Sequence, residues 1–384
     1  MRTPTRGTRR SPTCGRKANH DESDAGKSMT VDTLTSDTPK AAVAARSANG
    51  DENAYAELKR RVMARGLLEK QPRFYILNTL FVLSLLAASL AVLVLVDALW
   101  IQLLNAAFLA FAFTQISFLG HDASHRQIFR SARNNNLIGS IYWNVLLGMS
   151  NRWFIYRHNR HHSTPNEIDI DPDADMIVMS FSEEQARQKT GVIGWLVQYQ
   201  AFLLPVLALE MIALQYASFR YLRYGSYPWF EPPLMALHYV IYGGLAYVFL
   251  GLWPALIFIA VHQLVFGIYF SSVIAANHKG MPMLDGEHKL DFLHQQVLTS
   301  RNVRSSRFTD FWYGGLNLQI EHHLFPNMPR NKLREAQTIV KQFCAERGIP
   351  YYETGLIQSY RDIVDSLREI TALAGKGTPG EQQA

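Results

Sequence analysis

Two cysteines in 384 residues, Cys14 and Cys344, are too few for a disulfide framework. No Cys-x-x-Cys pair exists, which excludes a zinc ribbon and a thiol redox motif. Charge is scarce too: Asp, Glu, Lys and Arg make up 18% of the chain, against about 25% in an ordinary soluble domain. The scarcity is local. Residues 74–96, 98–118 and 234–276 contain none of the four, while residues 1–50 contain almost no large apolar residue. The near-zero mean hydropathy therefore averages a membrane protein with its polar appendages. Residues 1–50 cannot bury enough apolar surface to fold and are expected to be disordered. Their "TRR" at 8–10 has no apolar stretch behind it until about residue 74, unlike an export signal. The first twenty residues lack acids but also lack the apolar helical face of a transit peptide. The net charge of +6 reads as basic cytoplasmic loops rather than as nucleic-acid binding.

A helix of about 20 residues crosses a hydrocarbon core of about 30 Å. Residues 74–96 and 98–118 form one expected pair of spans, separated by Asp97. Residues 233–253 and 254–276 form the second, with Gly251 and Pro254 marking the turn, since proline cannot continue a helix without losing a backbone bond. A further apolar segment at 192–214 contains Gln198, Gln200, Pro205 and Glu210. A carboxylate near the bilayer centre is expensive, so this segment is expected to lie at the interface. Arg126, Arg130, Arg133, Arg152, Arg157, Arg160, Arg187 and Lys189 fall between the two pairs, whereas the hairpin tips near Asp97 and Gly251 carry no Lys or Arg. That asymmetry places both termini and the intervening loops in the cytoplasm.

Seven of the thirteen histidines occur in three boxes. "HDASH" gives His121 and His125, "HNRHH" gives His158, His161 and His162, and "QIEHH" gives Gln319, His322 and His323. Spacings of three and four put each set on one helical face. An eighth, His278 in "AANHKG", ends the fourth span much as His121 ends the second. One zinc ion takes about four ligands, and imidazole suits iron, copper, zinc and nickel alike. Two metals fit the count better than one. A single site also requires an even number of spans between the second and third boxes, as the four-span reading supplies.

These boxes, with "HNRHHSTPNEIDIDPD" and "NVRSSRFTDFWYGGLNLQIEHHLFPNMPR" around two of them, resemble the membrane fatty-acid desaturases over roughly residues 70–365. The Gln-led third box is similar to the acyl-lipid, front-end and some bacterial acyl-CoA branches. The resemblance implies an all-α integral membrane protein of four transmembrane helices with a cytosolic helical cap carrying the boxes. It implies two non-haem iron ions, O2 as co-substrate and a cis double bond made in a long acyl chain on CoA or a lipid. The ligands it implies are His121, His125, His158, His161, His162, His322 and His323, with His278 as the eighth. Gln319, Asp122, Glu321, Asn317 and Asn277 are candidates to orient them. Many relatives with such a third box carry a fused haem domain with "HPGG". No such motif occurs in this sequence, so electrons are expected from a separate ferredoxin-like or haem protein and its reductase.

The expected organisation is a disordered tail over 1–50, a cytosolic or interfacial lead-in over 51–73, the desaturase domain over 74–365 and a flexible tail over 366–384. His262 lies 16 residues before His278, about 24 Å away along a helix, so a hydrogen-bonded packing role is expected. His238, His288 and His294 have no ligand spacing, and His20 lies in the tail. The acid run Asp169, Asp171, Asp173 and Asp175 lacks the glycine and terminal Glu of a calcium loop and reads as loop structure. Two alternatives stand beside the desaturase reading. One is an alkane, sphingolipid or carotenoid hydroxylase on the same scaffold, and the other is a metal-binding membrane protein without redox chemistry.

Overall fold

The computed structural model describes residues 52–375 apart from positions 175, 177, 203 and 287. The expectations for residues 1–50, Asp175 and 376–384 fall outside the described residues. Four helices are long and apolar enough to cross a membrane: α2 (Pro72–Leu95), α3 (Leu99–Ser124), α9 (Glu231–Leu250) and α10 (Leu252–His278). Two of them outrun their expected bounds. Absence of charge marks the hydrocarbon thickness, but α3 continues six residues past Phe118 and α10 continues to His278. Those extensions carry the histidines. The second hairpin turns at Gly251, whose φ of 75° is reached without strain by glycine. Pro254 sits in the first turn of α10, where its missing N–H has no helical partner to lose.

The four helices differ in burial. Ile76, Leu77, Leu80 and Leu90 of α2 and Val240, Ile241 and Val248 of α9 are exposed, as lipid-facing residues should be. The long inner helices α3 and α10 are buried along much of their length. The first hairpin is pinned by polar groups within it: Ser89 Oγ donates to Asn105 Oδ1 (2.8 Å), and Gln102 Nε2 donates to the Val92 carbonyl (2.9 Å). Without water, these groups find partners in each other.

Between the hairpins lie α4 (Ala132–Ser140), a π-helical turn (Ile141–Leu146), α5 (Asn151–Ser163), α6 (Glu183–Gln188), α7 (Gly191–Gln198) and α8 (Leu204–Tyr221). The segment expected at 192–214 is thus two helices, and the second extends to Tyr221. Helix α8 lies close along α10: a Cβ on Gly267 would meet the Ala208 carbonyl.

After α10 come α11 (Phe292–Leu298), β1 (Asn302–Val303), α12 (Arg307–Trp312), α13 (Gln319–Leu324), a 3-10 turn (Arg330–Lys332), α14 (Leu333–Glu346), β2 (Glu353–Thr354) and α15 (Leu356–Gly375). The two short parallel strands are the only β-sheet among the described residues. Helix α1 (Glu52–Ala64) buries Ala54, Leu58 and Val62, one per turn, against Val297, Leu324 and Val340. This is a core of soluble type, set by amphipathic helices rather than by all-apolar ones. Residues 366–375, where a flexible tail was expected, continue α15. Leu367 packs with Met179 and Phe181, and Ile370 with Ala186 and Val197.

Candidate metal centre

Four helices bring their C-terminal ends to one place. His121 lies in the last turn of α3 and His125 caps it; His161 and His162 lie in the last turn of α5; His278 ends α10; His322 and His323 end α13. Helix C-termini present unpaired carbonyls and the negative end of the helix dipole, a setting that favours a cation. Local sequence fixes the helix starts. Ser150 caps α5 by accepting from the Trp153 amide (3.0 Å).

The eight imidazoles fall into two groups. His121, His125, His158, His162 and His322 each offer a ring nitrogen within 4.8 Å of the others, and so do His161, His278 and His323. In the first group, His162 Nε2 lies 3.2 Å from His158 Nε2 and 3.1 Å from His322 Nε2. In the second, His278 Nε2 is 3.0 Å from His323 Nε2 and 2.9 Å from Gln319 Nε2. The Nε2 atoms of His121 and His125 are buried with no hydrogen-bond partner. Burial and mutual repulsion hold His158, His162, His322 and His323 far below the usual imidazole range, and burial holds His125 down to about 3. Those shifts favour the neutral form of these five rings, in which each imidazole keeps one N–H and offers one nitrogen lone pair. A metal ion resolves that repulsion, and neutral imidazole is the form that binds metal. The donor set fits two closely spaced metal ions with nitrogen ligands.

The Nδ1 atoms of His121, His161, His278 and His323 are held from outside. His161 Nδ1 faces both oxygens of Asp171 at 3.0 Å, and Asp171 is fixed in turn by the Asn166 and Asp173 amides (both 2.8 Å). Burial disfavours the charged ring of His161, but Asp171 and Asp173 outweigh it and raise its affinity for a proton. His278 Nδ1 faces the Thr299 carbonyl (3.1 Å), His323 Nδ1 the Gln296 amide oxygen (2.8 Å) and His121 Nδ1 the Asp122 carboxylate (3.2 Å). Asp122 also pairs with Arg330 (3.1 Å). Such contacts fix the tautomer and the ring orientation of a ligand.

Of the five candidates for orienting the ligands, Asp122 and Gln319 touch imidazoles. Asn277 reaches Gln319 Oε1 (3.2 Å) and so acts one step removed. Glu321 and Asn317 touch none. Glu321 accepts from Asn302 (2.7 Å) and Tyr351 (2.8 Å), and Asn317 donates to the Val303 carbonyl and Asp310. On a six-residue helix whose next two side chains face the site, Glu321 points the other way. The sequence reading missed Asp171, Gln296 and the Thr299 carbonyl. Asp171 carried a signal, since it lies in the acid run just after the second box. Gln296 and Thr299 carried none, because the chain after α10 brings them beside His323 and His278 only on folding.

The other described histidines stay apart from both groups. His262 Nδ1 meets the Tyr242 hydroxyl (2.8 Å), and the ring stands edge-on to Phe113. His238 meets the Val145 carbonyl (3.0 Å), His294 meets Asp291 (2.8 Å), and His288 lies 3.7 Å from Glu167.

A cavity of about 1220 Å³, including its open mouth, reaches the site. Its walls are mostly apolar, with Trp143, Phe154, Leu214, Phe270 and Ile274 among them, and His121, His158, His161 and His278 border it. Phe154 stacks on Trp143 (4.1 Å between centroids) and on His158 (5.0 Å), so the wall and a site residue are one packed unit. Polar groups also line it: Arg157 pairs with Asp173 (2.7 Å), and Glu210 and Lys279 stand nearby.

Comparison with known proteins agrees with this geometry. The family model described as Fatty acid desaturase matches residues 98–355. An acyl-lipid (9-3)-desaturase of Physcomitrium patens is 28% identical over 84% of this chain and 63% of its own length. A Delta(5) fatty acid desaturase of Caenorhabditis elegans is 30% identical over 83% of this chain and 75% of its own. A Delta(8)-fatty-acid desaturase of Euglena gracilis is 29% identical over 82% and 76%. The chain thus spans between three fifths and about three quarters of the length of these curated relatives.

Proposed function

The chain belongs to the fatty acid desaturase family, and on that premise we propose that it is a membrane-bound acyl desaturase with a non-haem di-iron centre. The observation that carries the proposal is the meeting of two buried histidine groups, with the Nε2 atoms of His121 and His125 unpartnered, and an apolar cavity. His121, His125, His158, His162 and His322 would hold one iron, and His161, His278 and His323 the other. Two irons held there would supply the activation of O2, with two electrons, that removal of two hydrogens from adjacent methylenes requires. The balance is one –CH2–CH2– unit, O2, two electrons and two protons giving one –CH=CH– unit and two water molecules.

The chain's own residues bind, orient and exclude water. Trp143, Phe154, Phe270 and Ile274 hold the acyl chain by apolar contact and keep water from the reacting carbons. Arg157, Asp173, Glu210 and Lys279 are where the polar part of the carrier, CoA or a glycerolipid head, would rest. Asp171, Gln296 and the Thr299 carbonyl keep the rings of His161, His323 and His278 turned toward the metal. Electrons arrive from a separate carrier protein, and the histidine face lies on the cytoplasmic side.

Expression with a ferredoxin and its reductase is expected to yield acyl chains two mass units lighter than the precursor. A product sixteen units heavier would replace the proposal with a hydroxylase on the same scaffold. Protein purified under reducing conditions is expected to carry about two irons per chain. One zinc and no iron would remove the oxidative reading altogether.

A further inference from the structure

A second recess, sharing no lining residue with the acyl cavity, lies between α2, α3 and α12. Its polar lining is Asn78 of α2, Gln115 of α3, Arg307 and Asp310 of α12, and Arg330, Asn331 and Arg334 beyond α13. About 960 Å³ of space lies within it and its open mouth. Three guanidiniums thus face one carboxylate. Arg334 already engages Asp310 and Ser305, and Arg330 engages Asp122 and the Gly314 carbonyl. Arg307 has no ion-pair or hydrogen-bond partner for its side chain among the described residues.

The depth of the recess decides what can fill it. Gln115 lies six residues before His121 on a spanning helix, about 9 Å along its axis. Asn78 lies in the second turn of α2, another spanning helix. The recess therefore opens sideways, level with the end of the apolar bundle. Beside it, Phe308 and Phe311 of α12 are 58% and 45% exposed, and Phe311 packs against Phe81 of α2 and Phe111 of α3 (both 6.1 Å between centroids). Exposed apolar rings beside arginines at this level suit a membrane interface, where the rings meet acyl chains and the guanidiniums reach the headgroups.

We propose that this recess binds the phosphate of an anionic phospholipid, held by Arg307, Arg334 and Arg330, with its acyl chains along Phe81, Phe311 and the outer face of α2. The site is separate from the acyl cavity and does not rest on the chemistry proposed above. Arginine suits a phosphodiester because its planar donors engage two oxygens at once. The surplus positive charge selects an anionic head over a zwitterionic one. Arg330 connects the recess to the metal centre, since the Asp122 it pairs with faces His121 Nδ1.

The test uses the full chain with its iron, purified in detergent and mixed with phosphatidylglycerol or phosphatidylcholine. Retained lipid is read by native mass spectrometry. Phosphatidylglycerol is expected to remain bound where phosphatidylcholine does not. R307Q/R334Q is expected to weaken that retention at least about tenfold, and R307K/R334K to weaken it much less. R307Q alone disturbs no contact of the fold and should still weaken retention severalfold. R368Q, at an exposed position that pairs only with Asp365, is expected to change nothing. Equal retention of the two lipids, or full retention by R307Q and R307Q/R334Q, would overturn the proposal. Displacement of the lipid by millimolar inorganic phosphate would overturn the lipid in favour of a free-anion site.

Discussion

At the scale of single residues, the histidines of α10 separate two roles that composition treats alike. His278 ends the helix with Nε2 beside His323 and Gln319. His262 lies more than four turns earlier, bonded to Tyr242 and packed on Phe113. His278→Ala is expected to abolish desaturation and lower the iron content. His262→Ala should keep its iron and most of its activity, with a stability loss of about 1–3 kcal/mol from the unpaired Tyr242 hydroxyl. Full iron and activity in His278→Ala would move the eighth ligand elsewhere, with Gln319 and His294 the next to examine. Asp171→Asn gives a second residue-level test, because it removes the carboxylate facing His161 while leaving its size. Iron affinity is expected to fall by about 10- to 100-fold, measured by competition with a chelator. Unchanged affinity would reduce Asp171 to a loop residue. These residues also show how far the sequence reached. Spacing at i, i+3 and i+4 is written locally, so the seven box imidazoles were legible as groups, and His278 was legible from its place at the end of the fourth span. The groups behind them were legible only when adjacent in sequence, as Asp122 is. Gln296 and Thr299 arrive through tertiary folding, and Glu321 is adjacent to a ligand yet turned away from the site.

At the scale of elements, the close approach of α8 to α10 places one wall of the acyl cavity. Leu207, Glu210 and Leu214 of α8 face Phe270, Ile274 and Ala275 of α10 across it. The approach depends on Gly267, where even a methyl group would collide with the Ala208 backbone. Gly267→Leu is therefore expected to force the helices apart, lowering stability by roughly 1–3 kcal/mol and loosening the cavity. Thermal unfolding in detergent should show the loss, and chain-length preference should broaden. A variant with unchanged melting and selectivity would mean that α8 is not a wall the substrate feels. This helix was only half legible. Its apolar residues and Glu210 announced something other than an ordinary span, but not its extent to Tyr221. Where hydropathy is intermediate, helix length is set by packing partners, here α10, rather than by the segment's own composition. The same applies to residues 366–375, which were expected to belong to a flexible tail. Their apolar residues at helical spacing find partners in Met179, Phe181 and Val197.

At the scale of the whole molecule, the site constrains how the chain threads the membrane. Helices α3 and α10 both deliver their C-terminal ends to the histidines, so both finish on the same face. Helix α10 follows α9 through the tight turn at Gly251, so α9 must start on the histidine face and end on the far one. Everything between His125 and Glu231 is therefore expected to leave the histidine face and return to it, with α8 making no complete crossing despite its 18 residues. Ser182 and Ser226 stand on either side of α8. Cysteines placed there, in a background lacking Cys14 and Cys344, are expected to react with an impermeant thiol reagent from one side only. With the arginines concentrated in this same stretch, that side should be the cytoplasm. Labelling of Ser182 and Ser226 from opposite sides would make α8 a span. The second and third boxes would then face opposite compartments, and no single metal centre could contain them both.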